Sequence, residues 1–257
     1  MPGSGTRVIA RAAQVAGYYM GEDLSRALDA RHFRRFADRW VDRSLRSWAN
    51  ARPLADEVAM KVDFSEFLER HRAGMDNPNQ RWGWKAPRSI CFLPCLERVC
   101  PGFRFVHVVR DGRDIAFKQF GRRAVEDADG PSEPWRARAA MGHLALLGEE
   151  FTEASSTRVK MALWGRLNEM AADYGESLPM ERYLRVRLED LCSLPEQRSR
   201  ELLRFILLGE PPAEVVSAVA AAVAPSRSLG HWRERDPIDV RDVAALAARG
   251  LARFGYR

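Results

Sequence analysis

The sequence predicts an α/β fold, a parallel β-sheet flanked by helices, in one domain spanning residues 1–257. Three observations predict it. FRFVHVV (103–109) is a nearly unbroken apolar run, the pattern of a strand buried on both faces. RYLRVRL (182–188) is a second strand-like run. Long stretches of helical periodicity lie between and around the two, and strands alternating with helices read as parallel βα units.

The elements follow in order. MPGSGTRVIARAAQVAGYYMG passes from a Gly/Ser/Thr loop into an amphipathic stretch with Val8, Ile9, Ala12, Val15 and Ala16 on one face, so a loop capping a helix is expected. Helical periodicity is expected from about 23 to 72, carried by Leu24, Leu28, Phe33, Phe36, Trp40, Leu45 and Trp48, then Val58, Val62, Phe64, Phe67 and Leu68. WGWK (82–85) reads as extended, Pro87 breaks the chain, and a helix runs to about 100. After the first strand, Arg110-Asp111-Gly112 leads into the helix GRDIAFKQF. AVEDADGPSEP (124–134) is an acidic Pro/Gly loop, and a helix follows to about 177. Beyond the second strand the chain is mostly helical, interrupted by PSRSLGHWRERDP (225–237). One point is irregular. A phosphate-cradling loop normally follows a buried strand, yet nothing precedes Pro2 except Met1. The first strand is therefore expected to be missing through a truncated or misassigned start.

Composition narrows the class. The chain has 257 residues, 46% apolar and 30% charged, which is ordinary globular usage. No apolar run approaches the ~18 residues that span a bilayer, and no secretory signal pattern is visible. Four cysteines without CxxC pairs or histidines at ligand spacing predict reduced thiols, no metal site and a cytoplasmic location. The net charge of +6 points to an anionic partner. No basic run of five residues and no zinc-finger or RNP-type signature occurs, so nucleic acid is not expected. Of the 41 basic residues only Lys61, Lys85, Lys118 and Lys160 are lysines.

Two segments carry anion chemistry. In PGSGTR (2–7) a small-residue loop opens a helix, where amide N–H groups, the Ser4 and Thr6 hydroxyls, the helix dipole and Arg7 suit an anion. It is not a Walker A loop, because GK(S/T) occurs nowhere in the chain. In VHVVRDGRD, Arg110 lies at the carboxyl end of a buried strand, where open α/β sheets bind ligands, with Lys118 following. The alternative there is exposed pairs, Arg110–Asp111 and Arg113–Asp114, worth ~0–1 kcal/mol.

Together these segments resemble the sulfotransferase family, which transfers a sulfuryl group from 3′-phosphoadenosine 5′-phosphosulfate (PAPS) to a hydroxyl or amine. PGSGTR matches the family's 5′-phosphosulfate loop, and FVHVVRDGRDIAFK (105–118) its 3′-phosphate strand-loop-helix. WKAPRS (84–89) resembles its K-x-P element. Trp164 with Asn168, then RYLRVRLEDLCSLP (182–195), resemble the strand and the "YED" turn, and SRSLGHWR (226–233) the segment closing over the 3′-phosphate. The resemblance implies a P-loop-like three-layer sandwich, PAPS as donor, adenosine 3′,5′-bisphosphate as product and no metal. It implies cofactor contacts from Gly3, Ser4, Gly5, Thr6, Arg7, Arg110, Lys118, Arg227, Ser228 and Gly230. Three departures stand out. Gly3 replaces a Lys or Arg of many members, for which Arg7 is expected to substitute. Lys118 replaces a serine, and Leu188 replaces the aromatic of "YED".

Sulfuryl transfer also needs a base for the acceptor's proton. The protein-tyrosine sulfotransferases place a Gly-Glu-Glu about twenty residues after the loop, and Gly21-Glu22-Asp23 stands at nearly that spacing here. Asp23 and Glu22 are the expected bases, with Asp29 and His32 as fallbacks; Asp23 also suits a helix N-cap. Lys85 is expected to stabilise the transition state or leaving group, and His107 to be structural. Trp82 and Trp84 form either an acceptor wall or packing against the 24–72 helices, and the helical region 23–80 is expected to shape the acceptor site. Arg187, Glu189 and Asp190 suit an ion network at a strand end. The acceptor is a small molecule or glycan whose identity has no readable code. The alternatives are a P-loop kinase of nucleotides or small molecules, against which the missing GK(S/T) argues, and a non-catalytic basic nucleotide- or nucleic-acid-binding domain.

Overall fold

Two parallel strands and the helices around them organise the chain. The computed structural model describes residues 4–118, 133–149, 151, 155–223 and 228–257. Gly3, Arg227 and most of the segment expected as an acidic loop lie outside them. The chain divides into two units, Met1–Val109 with Ala171–Ser226, and Arg110–Met170 with Arg227–Arg257.

In the first unit, β1 (Phe105–Val109) pairs in parallel with β2 (Tyr183–Arg187), Phe105 opposite Tyr183 and Val109 opposite Arg187. Side chains alternate along a strand. Val106, Val108, Leu184 and Val186 therefore share one face. They pack with α1 (Thr6–Val15), α9 (Pro195–Leu207) and α10 (Ala213–Ala222) through Ile9, Leu202, Ile206 and Val216. On the other face Phe105 lies 5.3 Å from the His107 ring and 5.7 Å from Tyr183. His107 is buried, with Nδ1 3.1 Å from the Tyr183 hydroxyl. Gly175, in the last turn of α7 (Ser156–Glu176), backs onto the Tyr183 ring with no room for a Cβ. Helices thus cover both faces of the sheet, in the α/β arrangement the alternating pattern predicts.

The helical region builds a second core in this unit. In α2 (His32–Ala49) the buried positions Phe33, Phe36, Ala37, Trp40, Val41, Ser44 and Leu45 follow i+3/i+4 steps, and Met60, Phe64, Phe67 and His71 do so in α3 (Glu57–Arg72). Rings of Phe33, Phe36, Phe64, Phe67 and Phe92 make contacts 5.2 to 5.8 Å apart. Tilted and edge-on pairs of this kind add ~0.5–1.5 kcal/mol each beyond area burial.

Helix does not begin at 23, as periodicity predicts, but at His32. Ser25 explains the difference. Its hydroxyl accepts the amides of Ala27 at 3.2 Å and Asp29 at 3.0 Å, a local bonding pattern that competes with helix. Leu28 then turns through φ 61°, and Leu24 bridges Ala30 antiparallel. Asp23 and Asp29 accordingly sit on a loop.

WGWK is extended, as expected, with Trp82 bridged to Tyr19. Phe33, Trp84 and Trp82 stack in succession, and the Arg72 guanidinium lies 5.0 Å over Trp82, so both indoles pack on α2 and α3. The chain continues through a 3-10 turn (Pro87–Cys91) into α4 (Leu93–Val99). Cys91 and Cys95 are buried free thiols. Burial pushes the Cys91 thiol up to about 11.

The second unit contains α5 (Gly112–Ala116), α6 (Glu133–Leu146), most of α7, α11 (Pro237–Ala245) and α12 (Ala248–Arg253). Trp164 of α7 is its buried centre, with Phe254 and Tyr256 at 5.9 and 6.3 Å. Among the described residues no helix is long and apolar enough to cross a membrane.

His71 ties the first unit's extended segment to its loop. It is 2% exposed, its Nε2 lies 2.9 Å from the Gly83 carbonyl, and it fills the space that a side chain at Gly21 (φ 89°) would need. Burial lowers its pKa below the ordinary 6.5, and the Gly83 bond opposes the shift. Below pH 6.5 the unfolded chain therefore binds a proton the folded chain resists, and stability falls as pH drops through that window. Urea unfolding of the wild type across it should show that decline, and His71→Gln should flatten it. Equal slopes in the two proteins would refute the assignment.

Candidate functional site

The first cluster is built at the N-terminus of α1. Gly5 caps the helix at φ 84°, a left-handed conformation that glycine adopts without steric cost. A Cβ there would stand 2.5 Å from Leu188 Cδ2. Leu188 opens α8 (Leu188–Ser193) and is 2% exposed. The loop is thus pressed onto a core side chain. No side chain caps α1 and no acid occupies its first turn, leaving its amide dipoles open to an anion. Ser4 is 6% exposed, and its hydroxyl has no hydrogen-bond partner among the described residues. A buried hydroxyl left unpaired costs ~1–3 kcal/mol, a deficit that a ligand oxygen would repair. Thr6 and the exposed Arg7 complete the turn.

Lys85 is buried, and its Nζ donates to Asp29 Oδ1. Burial drives the ammonium pKa below its ordinary value, Asp29 pulls it back up, and Arg7 pushes it down. Arg7 and Lys85 therefore feel each other's charge. Ala30 N–H donates to the Lys85 carbonyl at 2.8 Å, which fastens the Asp29 loop to the extended segment. The expected bases lie elsewhere on that loop. Asp23 pairs with Arg31 at 3.3 Å and approaches His32 at 3.7 Å, and the Glu22 carboxylate rests against Gly74. Among the described residues the carboxylate bonded to Lys85 is Asp29's.

The second cluster belongs to the second unit and begins at the residue after β1. Arg110 is 2% exposed and pairs with Asp114 at 3.1 Å. Its Nη2 also donates to the Ser228 carbonyl and, at 3.1 Å, to the Ser228 hydroxyl. Asp114 additionally accepts the Gly230 amide at 2.8 Å and the Trp232 amide at 3.3 Å. Arg113 pairs with Asp111 at 2.8 Å, donates to the Arg257 carbonyl at 2.9 Å, and lies 3.7 Å over the Trp232 ring. Trp164 Nε1 donates to the Arg110 carbonyl at 3.0 Å, and Asn168 donates back to the Trp164 carbonyl at 2.7 Å. Lys118 follows α5, half-buried. Burial lowers its pKa, the Arg110 charge lowers it further, and Asp114 opposes.

The structure thus joins Arg110 to Ser228 and Gly230, with Lys118 within electrostatic reach, and in the other unit sets Ser4, Gly5, Thr6 and Arg7 at one helix end. The pairing of VRDGRD differs from the exposed-pair alternative. Arg110 reaches Asp114 and Arg113 reaches Asp111, and both pairs are buried. Sequence reasoning passed over Asp114; the i,i+4 spacing of Arg110 and Asp114, which brings both onto one face of a turn, was the available signal. Arg187 does pair with Asp190, at 3.4 Å, at the end of β2. Among the described residues no group of three His, Cys, Asp or Glu side chains is arranged to hold a metal ion.

The chain is thus an α/β protein with a buried lysine in the electrostatic field of the first turn of α1, and with a buried arginine just after a parallel strand. Residues 6–211 match the family described as "Sulfotransferase family", and the chain belongs to that family. It is a transferase by this membership. No curated protein matches the chain.

Asp114→Ala would leave the buried Arg110 charge and two backbone amides without their acceptor. Breaking a buried pair costs ~3–5 kcal/mol. Chemical denaturation should show a loss of that order, and a loss below about 1 kcal/mol would contradict the buried geometry.

Proposed function

We propose that the protein transfers the sulfuryl group of PAPS to a hydroxyl, or an amine, of a small-molecule or glycan acceptor. The observation that carries this reading is the buried Ser4 hydroxyl, without a hydrogen-bond partner among the described residues, at the uncapped end of α1 whose Arg7 acts electrostatically on Lys85. PAPS carries roughly four negative charges, on a 5′-phosphosulfate and a 3′-phosphate. We assign the phosphosulfate to Ser4, Gly5, Thr6, Arg7 and Lys85, with Gly3 adjoining in sequence, and the 3′-phosphate to Arg110, Lys118, Ser228 and Gly230, with Arg227 adjoining. The residues suit the group. The first set offers open amides, a hydroxyl and two cations, and the second offers buried donors and a compact ammonium.

When bound, PAPS supplies an activated sulfuryl group. The chain's part is to orient it and to set cations where charge develops on the departing oxygen, which is where most catalysis of such transfers arises. Lys85 and Arg7 hold that position. The matched residues 6–211 run through both units, which supports reading residues 1–257 as one catalytic domain with the 23–80 region on its acceptor side.

Adenosine 3′,5′-bisphosphate should raise the melting temperature, since ligand at 100 times its Kd adds ~2.7 kcal/mol. Lys118→Ala and Arg110→Ala should weaken that binding, whereas Lys85→Ala should lower kcat with binding retained. A screen of hydroxyl compounds with radiolabelled PAPS would find the acceptor. No thermal shift at millimolar bisphosphate would count against the reading, and magnesium-dependent ATP turnover would replace it with a kinase.

A further inference from the structure

We propose that Asp29, rather than Glu22 or Asp23, is the base of the transfer, and that it also keeps Lys85 charged; this rests on the sulfotransferase reading above. The loop that carries Asp29 is built to present it. Ser25 N–H donates to the Asp29 carbonyl at 3.0 Å, and Asp29 N–H returns a bond of 3.0 Å to the Ser25 hydroxyl. Leu24 and Ala30 bridge across the base of the loop, and the Ala30 amide is fixed to the Lys85 carbonyl. Leu28 holds φ 61°, a conformation that costs a branched side chain energy and persists only where surroundings enforce it. Its side chain packs against the core of the first unit while the next residue meets Lys85.

The two carboxylate oxygens are differently placed. Oδ1 accepts from Lys85, and Oδ2 has a long contact of 3.3 Å with the Ser25 hydroxyl. The Asp29 side chain is 36% exposed, so Oδ2 can meet an acceptor entering from solvent. Asp23 has its charge met by Arg31 and lies 3.7 Å from His32, and neither it nor Glu22 bonds Lys85 among the described residues.

The step balances without another reagent. The acceptor oxygen forms a bond to the sulfur of PAPS, and its proton passes to Asp29 Oδ2. The bond between sulfur and the bridging oxygen breaks, and that oxygen keeps the electron pair as part of the 5′-phosphate of the bisphosphate. Lys85 Nζ, whose bond to Asp29 Oδ1 opposes the effect of burial on the ammonium, faces the charge that develops there. The proton on Oδ2 is then lost to water.

Two readouts test the proposal, one of them independent of turnover. In the wild-type protein and Asp29→Asn, the pH profile of Lys85 modification by an amine-selective acylating reagent would be followed by mass spectrometry. Loss of the carboxylate should shift that profile to lower pH, and an unchanged profile overturns the Lys85 part. Bisphosphate release from radiolabelled PAPS would be measured with the best hydroxyl compound of the screen, or with water. Asp29→Asn should lower kcat by about 100-fold or more and remove the acidic limb of the pH profile, with bisphosphate Kd within about twofold. A loss under tenfold overturns the base assignment, as does a larger loss in Asp23→Asn or Glu22→Gln. Failure of the wild type to bind the bisphosphate would instead refute the sulfotransferase reading.

Discussion

Arg110 and Asp114 are both nearly excluded from water, a condition that is costly for one charge and tolerable for two only when their remaining donors and acceptors are used. Asp114 meets that requirement by accepting three donors, the Arg110 guanidinium and the amides of Gly230 and Trp232. Arg110 reaches the carbonyl and hydroxyl of Ser228 through Nη2. These bonds hold the segment from 228 to 232. Pairing Arg113 with Asp111, and stacking it on Trp232, repeats the device one step along. Such pairs add little net stability compared with apolar packing, whereas breaking one leaves a buried charge uncompensated.

The first unit handles charge in the opposite manner. There Lys85 and Arg7 lie within each other's field with Asp29 bonded to Lys85, and Ser4 adds a buried hydroxyl with no hydrogen-bond partner among the described residues. An uncapped helix end sharpens the imbalance. Positive potential without its full complement of acceptors is what a phosphosulfate would correct on binding. The two clusters thus divide the work by physics. One joins a buried ion pair to the backbone segment 228–232, while the other sets two cations and one carboxylate beside an uncapped helix end.

Much of this was legible in the chain. The nearly unbroken apolar run in FRFVHVV and the i+3/i+4 stripe from Phe33 to Leu45 are strong signals because they follow from burial, and both elements form where they predict. The first turn of α1 is legible for a similar reason, since small residues before an amphipathic run have few other uses. The stretch from 23 to 31 was not. Leu24 and Leu28 keep helical spacing, yet the Ser25 hydroxyl captures two local amides and Leu28 turns left-handed, interactions that periodicity cannot register. The partners within VRDGRD were hidden for another reason. Adjacent opposite charges look like surface pairs until a fold buries them, and only then does the turn geometry select Asp114 for Arg110.

Leu188 shows how a departure from a family pattern can be coupled to a second position. Where the family's "YED" turn has an aromatic, this chain has a leucine whose two methyl carbons lie 2.5 and 2.6 Å from where a Cβ on Gly5 would be. With Leu188 at 2% exposure, a ring in the same place would meet the loop backbone and displace the turn that holds Ser4 and Thr6. Gly5 and Leu188 therefore constrain each other. The leucine supports the loop before α1, so under the PAPS reading proposed above an adenine ring would stack on another side chain.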